Sequence, residues 1–143
     1  MEYPAALNLS TIEEYRHHYE EEYCQNPVIT FDGIPVYFKK DRFSDAFFES
    51  SKRNGIKDQF SEIRAKRMDW IKAALQDPDA DIRAGWDKIK KQYDFKRRVC
   101  IVVRKYVVVI GFSPDRSKAF FYTAYVANSL ESLNNLRKAP KWK

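Results

Sequence analysis

Arg64, Arg67, Thr123 and Tyr125 are the side chains of this sequence whose types suit one demanding reaction, cleavage of an RNA phosphodiester by its own 2′-hydroxyl. That attack needs a proton acceptor, a proton donor to the leaving oxygen, and cations around a phosphorane that gains negative charge. Arginine and lysine supply the cations, while threonine and tyrosine hydroxyls position groups or relay protons. The four can act together only if the helical segment carrying the arginines packs beside the strand carrying the hydroxyls. Spacing alone also fits a plainer account, with the arginines in solvated or core-edge ion pairs and Thr123 and Tyr125 as ordinary strand residues.

Other chemistries find less support. The sequence has no P-loop, GxGxxG, GxSxG or HExxH pattern. Its only histidines, His17 and His18, are adjacent, so on a helix they diverge by about 100° and cannot share one metal. Glu13, His17 and Glu21 recur at four-residue spacing, which weak surface electrostatics explains without a divalent ion. Cys24 and Cys100 lack the spacing of a zinc site or a disulfide framework and read as buried thiols. Neither a metal nor a cofactor is expected.

Charge is a second clue. Residues 1–50 hold four Lys/Arg against ten Asp/Glu, net −6, and the rest hold 22 against 10, net +12, which gives the +6 of the whole chain. A basic body suits a polyanion, because each neutralised phosphate releases counterions. A solvated Lys/Arg surface without a partner is the plainer alternative. On an RNA reading, Lys57, Lys66, Arg116, Lys118, Lys138 and Lys141 form a phosphate track, with Trp142 as a stacking platform. The acidic segment 1–27 reads as a helix that repels phosphate, with a self-shielding arm as the alternative.

With 143 residues, 44% hydrophobic and 15% aromatic, the chain fits one domain, 1–143, able to bury a core without disulfides. No stretch approaches the roughly 18 apolar residues of a membrane span. The first 14 residues show no basic region followed by an apolar run, so a cytoplasmic protein without membrane partners is expected.

Several elements must position the chemistry. Ser10-Thr11-Ile12-Glu13 has the spacing of a capping box and opens a helix from Thr11 to Tyr23. Val28–Phe31, Asp32-Gly33 and Ile34–Phe38 read as a hairpin, with Pro35 placing its second strand at an edge or a bulge. A short helix follows around Ser44–Ser51. Lys57–Gln76 reads as one long helix with Phe60, Ile63, Arg67, Trp70, Ile71, Ala74 and Leu75 along one side, and Asp79–Gln92 as a weaker one. Strands are expected at Phe95–Val103, Tyr106–Phe112 and Lys118–Ala127, with a turn at Ser113–Ser117. Arg104-Lys105 leaves a hairpin and a single bent strand both open. In the last strand Phe120, Tyr122, Ala124 and Val126 alternate with Phe121, Thr123 and Tyr125. Asn128 or Ser129 then caps a closing helix with Leu130, Leu133 and Leu136 on its buried side. The expected class is α+β, with N-terminal helices and a hairpin, then a twisted antiparallel sheet and a C-terminal helix. Trp70, Ile71, Leu75, Val107, Val109 and Leu133 are expected in the core.

Two stretches carry a resemblance. In FFESSKRNGIKDQFSEIRAKRMDWIKAALQDP an R-A-x-R-(x2)-W-I helix ends at D-P, and FFYTAYVANS is a strand with T-A-Y near its end, followed by a helix and a basic tail. From Phe43 onward, residues 43–143, the chain resembles the phage-associated branch of the barnase, EndoU, colicin and RelE superfamily of ribonucleases. The resemblance implies a metal-independent endoribonuclease, toxin-like or host-directed, that cuts tRNA or mRNA to a cyclic phosphate. It implies RNA as partner, with a cognate immunity or antitoxin protein as a second. Carried over, Arg64 and Arg67 hold the scissile phosphate, Thr123 positions the 2′-hydroxyl or a non-bridging oxygen, and Tyr125 stacks on a base or relays a proton. Many relatives use a histidine as acid or base, whereas this chain has none after His18. The alternative is therefore a catalytically inactive member of the fold that binds nucleic acid or a host protein.

Overall fold

The computed structural model describes residues 3–50, 58–87, 92–127, 134 and 138, with side chains described outside 84–100. The fold is α+β. Helix α1 (Ile12–Tyr19) continues as a π-helical turn, Glu20–Cys24. Strands β1 (Val28–Ile29) and β2 (Pro35–Tyr37) follow, then α2 (Arg42–Phe47), β3 (Phe48–Glu49), β4 (Gln59–Phe60), α3 (Glu62–Ala65) and α4 (Asp69–Leu75). Four strands complete the described chain: β5 (Asp81–Asp87), β6 (Gln92–Val103), β7 (Tyr106–Phe112) and β8 (Ala119–Val126).

The capping box forms one residue later than its expected start. Thr11 caps α1, its hydroxyl accepting from the Glu14 amide at 3.1 Å, while the Ser10 amide reaches the Glu14 carboxylate at 3.5 Å. Tyr15, Tyr19 and Tyr23, one helical turn apart, are at most 1% exposed. A buried hydroxyl must be paired to offset its lost hydration. Tyr19 donates to the Lys39 carbonyl at 2.7 Å and Tyr23 to the Met68 carbonyl at 2.8 Å. The acidic segment is thus not a detachable shield; it inserts three aromatic rings into the core and turns Glu13, Glu14, Glu21 and Glu22 to solvent.

The expected long helix over 57–76 is divided. Phe60 lies in β4, packing at 5.5 Å on Phe48 and 5.6 Å on Tyr15, and Ser61 then caps α3 by accepting from the Arg64 amide at 3.4 Å. The buried stripe is Ala65, Met68, Ile71 and Leu75, and Ile63, assigned to the core side from its spacing, is 63% exposed. A straight-helix projection lost register because the chain breaks between α3 and α4 at Lys66–Met68. Ile71, Leu75 and Val107 are buried as expected, whereas Trp70 and Val109 are half-buried and Leu133 lies outside the described residues.

The expected helix over 79–92 is also overturned, because β5 pairs antiparallel with β6 with a register shift at Ala84/Gly85. Long-range pairing with an extended neighbour outweighs a weak helical period interrupted by Gly85. Arg104-Lys105 forms a tight turn between β6 and β7, with Arg104 at φ 55 and Val103 opposite Tyr106.

The six-stranded sheet runs β1-β2-β8-β7-β6-β5 and is mixed, since β2 pairs parallel with β8 through Val36↔Ala119 and Tyr37↔Phe120. The expected antiparallel sheet is formed by β5–β8, and the parallel pairing attaches the hairpin strand β2 to it. Strand β2 is interior, and Pro35 is tolerated because it starts the strand and faces only Ile29 of β1. The expected closing helix lies outside the described residues apart from Asn134, whose carbonyl accepts from the Lys138 amide at 3.1 Å. Among the described residues no helix is long and apolar enough to cross a membrane.

Candidate nucleic-acid interface

One face of the sheet joins the core through Tyr106, Val108, Ile110 and Phe112 of β7 and Ala119, Phe121 and Ala124 of β8. Simple alternation would put Phe121 and Ala124 on opposite faces. The register explains the departure: Val109 is opposite Thr123 and Ile110 opposite Phe121, so Tyr122 is an extra residue in β8. This bulge flips the alternation. Ala124 then joins Phe121 on the core side, and Phe120, Thr123 and Tyr125 fall on the other, outer face. The Tyr122 ring lies over Gly111, where a Cβ would collide with it.

Pairing with β2 ends at Phe120, and α2 lies against the rest of β8. The Thr123 hydroxyl donates to the Asp45 carbonyl at 3.4 Å, and Arg64 Nη1 donates to the next carbonyl, Ala46, at 3.4 Å. Both carbonyls belong to the last turn of α2, where helical acceptors lack partners and carry partial negative charge. Arg64 Nε also meets Glu49 Oε1 at 3.4 Å, and its guanidinium carbon stands 5.9 Å from the Tyr125 ring centre. Arg64 is therefore brought to Thr123 and Tyr125, 59 and 61 residues away in sequence, while holding an ion pair with Glu49 of β3.

Arg67 belongs to a different cluster. It donates to the Ile63 carbonyl at 3.4 Å and lies 5.7 Å from the Trp70 ring, which Arg104 also approaches at 5.2 Å. The Trp70 indole donates to the Pro4 carbonyl at 2.8 Å, and Tyr3 stands 5.0 Å away. Among the described residues the Tyr106 hydroxyl, on a ring 6.0 Å from that of Trp70, is buried without a hydrogen-bond partner, and burial raises its pKa.

The expected phosphate track is dispersed. Arg116 and Lys118 are exposed in the β7–β8 turn, and Lys118 Nζ lies 5.8 Å from the Phe120 ring. Lys66 is half-buried, its carbonyl accepting from the Leu7 amide at 2.7 Å, and Lys138 is exposed. Lys57, Lys141 and Trp142 lie outside the described residues. His18 bonds Asp69 at 2.8 Å and His17 faces Glu21 at 3.7 Å, beside a groove of about 560 Å³ that Glu13, Glu14 and Glu22 also line. No group of three or more His, Cys, Asp or Glu able to hold a metal occurs among the described residues. Cys24 is half-buried, and the Cys100 side chain lies outside those described.

Sequence reasoning passed over the cations and rings that continue the outer face beyond Arg64. Tyr37 of β2 pairs with Phe120 at 6.1 Å, Lys39 Nζ lies 5.8 Å from Phe120, and Arg42 stands 5.1 Å from the Tyr122 ring. A signal existed, since Lys39, Lys40 and Arg42 are three of the four cations in the acidic first fifty residues. In comparisons with known proteins the chain matches no family model, no curated protein and no solved structure.

Proposed function

We propose that this chain binds RNA on the outer face of β8 and cuts it without a metal, at the point where Arg64, Thr123 and Tyr125 meet, as a member of the ribonuclease superfamily its sequence resembles. The observation that carries the reading is the Arg64 guanidinium over the Tyr125 ring, on the face of β8 that also bears Thr123 and beside a strand bulge. In the proposed step the 2′-oxygen bonds to phosphorus, its proton passes to an acceptor, and the 5′-oxygen leaves with a proton. Arg64 exchanges the Glu49 carboxylate for the phosphate and stabilises the charge that builds on it. Thr123 orients the 2′-hydroxyl or a non-bridging oxygen, and Tyr125 stacks on a base or relays a proton.

A second reading, binding without cleavage, is favoured by the groups these side chains already hold. Arg64 is engaged by Glu49 and the Ala46 carbonyl, and Thr123 by the Asp45 carbonyl. Incubation of the full chain with total RNA in EDTA separates the two. The leading reading expects discrete products ending in a cyclic phosphate, reduced for Thr123→Ala. For Arg64→Lys it expects a loss of a few hundredfold to a thousandfold, because a preorganised fork becomes a point donor. Intact RNA that remains bound supports the second reading, and products that require a divalent ion contradict the first.

A further inference from the structure

The outer face carries a row of rings and cations that the cleavage chemistry does not use. Tyr37 is 41% exposed, Phe120 beside it is partly exposed, and Tyr122 lies one bulge further along β8. Lys39 and Lys118 both reach Phe120, and Arg42 covers Tyr122. Lys39 Nζ and Lys118 Nζ each lie 5.8 Å from the Phe120 ring centre and the Arg42 guanidinium carbon 5.1 Å from that of Tyr122, and Arg42 also pairs with Asp45 at 3.3 Å. From Phe120 to Tyr125 the row extends over about 17 Å of strand. It ends where Arg64 meets Tyr125.

We infer that this row is a stacking track for single-stranded RNA, with unpaired bases laid on Tyr37 and Phe120 and the backbone followed by Lys39, Arg42 and Lys118. The inference rests on the nucleic-acid reading above but not on cleavage. Aromatic rings on a sheet take bases that are free to leave their own stack, and alternating cations neutralise the phosphates between them. Bases inside a duplex are already stacked on one another and cannot be laid on strand rings. The surface is therefore selective for single strands, with little preference for sequence.

Fluorescence polarisation of the full chain with a fluorescein-labelled 2′-O-methyl oligouridine tests this, because a probe lacking a free 2′-hydroxyl binds without being cut. Tyr37→Ala should weaken binding about five- to a hundredfold, as loss of one stacked base does. Tyr37→Phe, which keeps the ring, should bind close to wild type and controls for folding. Lys39→Ala should lower the salt dependence of log affinity by about 0.7, the value for one single-strand phosphate contact. An RNA duplex of equal length should compete poorly. Wild-type affinity in a folded Tyr37→Ala protein, equal competition by the duplex, or no oligonucleotide binding at all overturns the inference; the last leaves the face to a protein partner. Ring-dependent binding with no cleavage of ordinary RNA upholds the track and removes the catalytic reading alone.

Discussion

At the scale of single residues, two groups carry costs that substitution can expose. The Tyr106 hydroxyl is buried without a partner among the described residues, which forfeits its hydration for nothing in return. Tyr106→Phe should leave thermal stability unchanged or raise it by up to about 1 to 3 kcal/mol, and a clear loss on calorimetry would show that the hydroxyl is bonded. Arg64 is held by Glu49 in a pair whose side chains are 20% and 49% exposed, so solvent screens much of its strength. Glu49→Gln should free the guanidinium for phosphate and tighten binding of a non-cleavable oligonucleotide by about two- to fivefold, the scale of a half-exposed pair. Weaker binding would mean that Glu49 orients Arg64 for the ligand and does not compete with it. Of the four residues expected to do chemistry, Arg64, Thr123 and Tyr125 could be grouped from their types and the order of their elements. Arg67 could not be separated from them, because its placement depends on a chain break between α3 and α4 that a continuous apolar period conceals.

At the scale of elements, the same argument explains what the sequence revealed and what it hid. The strands β7 and β8, the Asp32-Gly33 hairpin and the capped first helix were legible because local residue chemistry and tertiary packing agree there. The strand β5 was not, since its extended state comes from β6, a partner visible only in the fold. The bulge at Tyr122 was hidden for a similar reason; it depends on the register with β7 and decides which face Thr123 and Tyr125 occupy. Helix α1 was legible as a helix but not as core, because its buried residues are tyrosines set among glutamates. Deleting residues 1–25 removes Tyr15, Tyr19 and Tyr23 and should abolish cooperative unfolding; a folded deletion protein would return the segment to the role of a shield. Leu75→Ala should cost about 2 to 5 kcal/mol, measured by denaturant unfolding, and an unchanged midpoint would place Leu75 outside the core.

The β7–β8 turn yields a prediction in pH. Asp115 accepts from the Ser117 hydroxyl at 2.7 Å, the Ser117 amide at 3.0 Å and the Ser113 hydroxyl at 2.7 Å. These bonds favour the carboxylate, the Ser117 hydroxyl most, and hold its pKa at about 2 against an ordinary 3.8. A carboxyl whose folded pKa is depressed supports the turn fully above its unfolded value, and that support disappears as pH falls from about 4 through about 2. An NMR titration should find the Asp115 midpoint near 2 and Ser117→Ala should raise it. A wild-type midpoint near 3.8 would show that the serines do not hold the carboxylate, and with it the turn that presents Arg116 and Lys118.

At the scale of the molecule, the acidic and basic halves of the sequence do not form separate bodies. Half of the ten acidic residues of 1–50, Glu13, Glu14, Glu20, Glu21 and Glu22, lie on α1 and its π-helical turn, while Lys39 and Arg42 from that same half join Lys118 and Arg64 on the outer face of β8. Charge is sorted by surface more than by chain position, so polyanions should be repelled from the α1 groove and drawn to the sheet. Photo-crosslinking of the full chain to a 4-thiouridine-containing RNA, read by mass spectrometry of the joined peptides, tests that claim most directly. The account predicts crosslinks on the peptides containing Tyr37, Phe120, Tyr122 and Tyr125; crosslinks confined to α1, or to the Trp70 cluster with Tyr3 and Arg104, would contradict it.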